Sequence, residues 1–93
     1  MNVGSILRAE HLSIGDVIAF TPYHYPDHRP SVDERATVVG LLEVDSRRSV
    51  EVRYLAARTV GDTLPGFDLH APYGVEVVMV WLTFRPDELV PLR

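Results

Sequence analysis

Ninety-three residues with no cysteine and a net charge of -4 make one small domain that must fold without disulfides or thiolate-bound metal. The nine basic residues are scattered and the longest unbroken apolar run is residues 77–82, so the chain lacks both the basic footprint of sequence-blind nucleic-acid binding and the roughly 20 apolar residues of a membrane helix. The first eight residues have neither the basic start nor the apolar core of a secretory leader, and a cytoplasmic location is expected.

In chain order, residues 5–9 are a candidate strand, and residues 16–20 read as a short strand entered through Gly15. Residues 21–31 then hold three prolines, two tyrosines and two histidines, which describes a stiff loop rather than an element. Residues 36–44 are apolar on both faces, with Gly40 placed for a bulge or for a close approach by a neighbouring side chain. Turn chemistry at residues 45–49 leads into residues 50–56, where Val50, Val52, Tyr54 and Ala56 alternate with Glu51 and Arg53. That alternation predicts a strand with one wet face, paired with residues 36–44 in a hairpin.

Residues 59–74 form a second long connection, too apolar for a simple solvated linker because it holds Leu64, Phe67, Leu69 and Tyr73. Residues 75–84 are too apolar for an edge strand with one face in water, and are expected to be central, or else partly covered by another subunit. Pro86 followed by Asp87 and Glu88 suits a single helical turn before a closing edge segment. Five short strands without crossover helices predict an all-β fold, a small antiparallel five-stranded barrel; a two-sheet sandwich is the alternative.

The phrase Leu12-Ser13-Ile14-Gly15-Asp16-Val17-Ile18 resembles the opening of small Src-homology-type barrels, in which Leu-x-x-Gly-Asp-x-Ile turns the chain into its first long strand. Here Gly15 can take a positive φ, Asp16 can bond nearby amides, and Leu12, Ile14 and Ile18 can anchor the turn. Together with the arginine-only basic set and the 86–90 ending, the chain is similar to small barrel proteins of actinobacteria and their phages. The resemblance implies an accessory protein that binds another macromolecule and transfers no catalytic residue.

Function is therefore expected in the two loops. Tyr23, His24, Tyr25, His28 and Arg29 from the first, with Leu64, Phe67, Leu69 and Tyr73 from the second, are the candidate binding residues for a protein partner. A phage-encoded modulator of a host protein is the role such a module would fill. The alternatives are a nucleic-acid binder that stacks bases on these aromatic rings, and a subunit of a larger phage assembly, with homo-oligomerisation open. No cofactor is expected. A metal would need His24, His28, Asp68 and His70 to converge from both loops, and their spacing is no ligand motif. Catalysis is not expected, because no phosphate-cradling glycine loop, zinc-helix histidine pair or nucleophile elbow is present.

Overall fold

The computed structural model describes residues 5–57 and 74–93. Among them the chain is all-β, with strands β1 (Ile6–Arg8), β2 (Val17–Ala19), β3 (Arg35–Val44), β4 (Arg47–Ala57), β5 (Val75–Phe84) and β6 (Leu89–Pro91), and one 3-10 turn at Ala9–His11. β2, β3, β4 and β5 form one sheet in that order, β1 and β6 form a second, and every pairing is antiparallel.

β4 organises the core. Its alternation places Val50, Val52, Tyr54 and Ala56 inward, all buried, as the sequence predicts. Against them pack Ala36 and Val38 of β3, Leu82 and Phe84 of β5, Ile18 of β2 and Val90 of β6, with Ala9, Leu12 and Phe20 from the connections. Asp45 and Ser46 both have positive φ, so a two-residue hairpin joins β3 to β4. The turn is shorter than the five-residue stretch read from the sequence, because residues 47–49 pair as strand.

Both readings of Gly40 hold. The register slips between Val38 and Gly40, which is a bulge, and a Cβ at Gly40 would lie 3.2 Å from Glu51 Cβ and 3.5 Å from Trp81 Cη2. The bulge reverses the inward parity of β3: Val38 lies opposite Val52 before it, and Leu41 opposite Val50 after it. Leu42 and Val44 are thereby turned outward and exposed.

Four expectations are corrected. The expected central strand, β5, stands last in the order β2-β3-β4-β5 among the described residues, and its outer-face residues Met79 and Trp81 are about half exposed, at 53% and 50%. The sheet does not close into a five-stranded ring among the described residues. Closure would need β5 to reach β1, but β1 is three residues long and takes β6 as its partner, while the amides of Ala9 and Glu10 bond the carbonyls of Glu88 and Pro86. The expected helical turn at residues 85–88 is a tight turn closed by the Glu88 amide on the Arg85 carbonyl, 3.0 Å. Ile14, expected to anchor the opening turn, is exposed, and Leu12 and Ile18 do that work.

The rest of that turn forms as the sequence implies. Gly15 has φ +96°, and the Asp16 carboxylate accepts the Ser13 amide at 2.8 Å. The two sheets are joined by a bridge between Ile18 and Leu92 and by the Arg93 amide on the Val17 carbonyl. No helix among the described residues is long and apolar enough to cross a membrane.

Candidate functional site

Residues 21–30 leave β2 and fold back over the inner side of the large sheet. Pro22, Pro26 and Pro30 each fix φ, and the amides of His24 and Tyr25 both bond the Thr21 carbonyl while the His28 amide bonds the Tyr25 carbonyl. Thr21 Oγ1 lies 3.0 Å from His24 Nδ1, so among the described residues Nε2 is the nitrogen left for another partner. Two tight turns in succession thus hold the ring-bearing side chains at set positions.

The two tyrosines have opposite fates. The Tyr25 ring stacks on Phe20, with centroids 4.7 Å apart and planes 11° apart, and meets Phe84 edge-on at 6.4 Å. Phe20 in turn packs on Tyr54 at 4.3 Å. Tyr25 therefore anchors the loop, and burial, with a smaller contribution from the Glu88 charge, pushes its phenol up to about 12. Tyr23 projects outward at 89% exposure, its ring edge-on to His24 at 5.3 Å.

The far end of the loop is tied to the sheet. Arg29 donates to the Glu76 carboxylate at the start of β5 and to the Ala57 carbonyl at the end of β4. Ser31 is buried, accepts the Arg35 amide at 3.2 Å, donates to Asp33, and forms a bridge with Ala56.

Between the loop and β5 runs a cleft of about 230 Å³. Residues 24–28 and residues 81–84 line it, together with Glu88. The structure therefore brings together His24, Tyr25 and His28 of the residues singled out from the sequence. Tyr23 stands at the exposed tip of the same loop, and Arg29 is tied to Glu76 and the Ala57 carbonyl. Leu64, Phe67, Leu69 and Tyr73 lie outside the described residues, as do Asp68 and His70 of the metal hypothesis. Among the described residues no three histidine or carboxylate side chains gather to hold a metal.

Trp81, Thr83 and Glu88 are among the cleft residues that the sequence did not single out. Trp81 had a signal: a large ring at an odd position in a strand whose even positions already supply a core face. Chemically the cleft offers imidazoles, a phenol and the carboxylates of Asp27 and Glu88 beside aromatic surface, a mixture suited to gripping polar and apolar side chains together. In comparisons with known proteins no family model, curated protein or solved structure matches this chain.

Proposed function

We propose that the chain is a non-enzymatic binding module that engages a protein partner through the tip of residues 23–28 and the cleft beneath it. The observation that carries this reading is the division of labour within the loop: Tyr25 is locked into the core while Tyr23, two residues away, is held outward. A proline-stiffened loop presents an aromatic ring with little rotamer or backbone entropy left to lose on binding, which is how interface hot spots are commonly built. The bridge from β2 to Leu92 supports a finer reading of the fold as a partly open barrel of the Src-homology type.

The test is partner capture. The arginine-only basic set fits the codon bias of a GC-rich genome, so an actinobacterial lysate is the appropriate source. A partner retained by the wild type should be lost by a Tyr23→Ala, His24→Ala variant whose circular dichroism is unchanged. Loss of one aromatic hot spot costs about 2 kcal/mol, or about thirtyfold in affinity. Equal recovery of every partner by the folded variant would refute the assignment.

A further inference from the structure

β5 is ten residues long, and among the described residues its second edge has no strand beside it. The direction of its backbone groups follows from its neighbours. Val38 exchanges both backbone bonds with the β2 side, through the Gly15 amide and the Asp16 carbonyl, each at 2.8 Å. Val52, opposite Val38, therefore turns its N–H and C=O toward β5, where it meets Val80. The Leu55 carbonyl accepts the Val32 amide at 2.8 Å on the β3 side, which gives the same phase independently. Even-numbered residues of β5 thus bond to β4, and Val77, Met79, Trp81 and Thr83 direct their backbone groups to the open edge.

Such an edge is normally blunted by a charge, a proline or a bulge. β5 pairs with β4 without a bulge from Val75 to Phe84, and residues 77–84 contain no proline and no ionisable side chain. Its single charge, Glu76, is already held by Arg29. The odd residues, whose backbone groups meet no strand among the described residues, include Met79 and Trp81 with their exposed side chains.

We propose that two copies of this chain pair antiparallel along this edge, about a two-fold axis at Val80. Charge chooses both the occupant and the register. On the outer face Glu51 sits beside Trp81, and Arg53 beside Met79. With the axis at Val80, Trp81 of one copy lies opposite Met79 of the other, and the row across the interface reads Glu51, Trp81, then Met79 and Arg53 of the second copy. Each row ends in opposite charges, and each indole meets a thioether, a favourable contact. An axis at Met79 would end its row in two arginines, and an axis at Trp81 in two glutamates. Both molecules are net negative, and this uncharged edge lets them meet without opposing like charges.

Trp81 and Thr83 also line the cleft of the loop reading, but this proposal is tested by mass and the loop reading by partner capture. Sedimentation over about 1 to 200 µM, a range bracketing weak dimers, should show the 10.5 kDa chain passing into a dimer and no further. A Met79→Lys, Trp81→Lys variant places lysine opposite lysine, whereas Met79→Lys, Trp81→Glu places lysine opposite glutamate. The second should dimerise at least about tenfold more tightly than the first, a difference of about 1.4 kcal/mol. Because the chain has no cysteine, Val80→Cys provides a check that leaves the outer face intact. Residue 80 would form a non-bonded pair with itself at about 4.5 Å between Cα atoms, within disulfide reach, so Val80→Cys should crosslink on mild oxidation and Thr83→Cys should not. A wild type that stays monomeric, assemblies larger than a dimer, equal behaviour of the two double variants, or equal crosslinking at 80 and 83 would each overturn the proposal.

Discussion

Phe20 is fully buried between Tyr25 and Tyr54, so one side chain joins the loop to the centre of the sheet. Phe20→Ala should cost about 3–5 kcal/mol, read as a fall in the urea midpoint, because three rings lose their shared contact at once. Tyr25 makes the loop's attachment depend on pH. Its phenol titrates near 10 when unfolded and near 12 when folded, so its contribution is complete below about pH 10 and is lost as the pH rises through about 12. The stability of Tyr25→Phe should fall less than that of the wild type between pH 9 and 11.5, with Tyr54, also raised by burial, keeping a residual slope. Two arginines use the fork of the guanidinium rather than its charge alone. Arg48 reaches Glu43 and the Leu12 carbonyl, each at 3.1 Å, and Arg29 reaches Glu76 and the Ala57 carbonyl. Arg48→Lys keeps the charge but cannot hold both partners, and should cost about 1 kcal/mol in the same titration.

Among the elements, the β3–β4 hairpin and the 21–30 loop show what a local pattern does and does not convey. Alternation in β4 was legible because each residue's environment is set by its own strand's pleat. The hairpin was legible too, but its turn was read too long, since residues 47–49 look like turn chemistry until β3 is seen opposite them. The φ values of +51° and +62° at Asp45 and Ser46 are costly for residues with a side chain. Asp45→Asn with Ser46→Gly should therefore stabilise the fold by about 1 kcal/mol, measured as an upward shift in melting temperature. In the loop, Tyr23 and Tyr25 are indistinguishable as sequence. Which one packs inward depends on Phe20, just after β2, and Phe84, at the end of β5, and no window of the chain contains both.

For the molecule as a whole, the small sheet is held by its last residues. Val90 is fully buried, the Leu92 amide bonds the Ser5 carbonyl, and the Arg93 amide bonds the Val17 carbonyl. Removal of residues 89–93 should strip β1 of its partner and abolish the cooperative thermal transition, as followed by near-ultraviolet circular dichroism. The class of fold, the antiparallel hairpin, a special position at Gly40 and the stiffness of the first loop were determined by the sequence alone, because each follows from side-chain alternation or from the backbone limits of glycine and proline. Tertiary structure decided the rest. Whether the described strands close, that β5 is the last of them and not central, and which tyrosine faces solvent all depend on a competition among distant strands for the same backbone partners and the same buried space. Local periodicity records that a face is apolar, but contains no information on what will cover it.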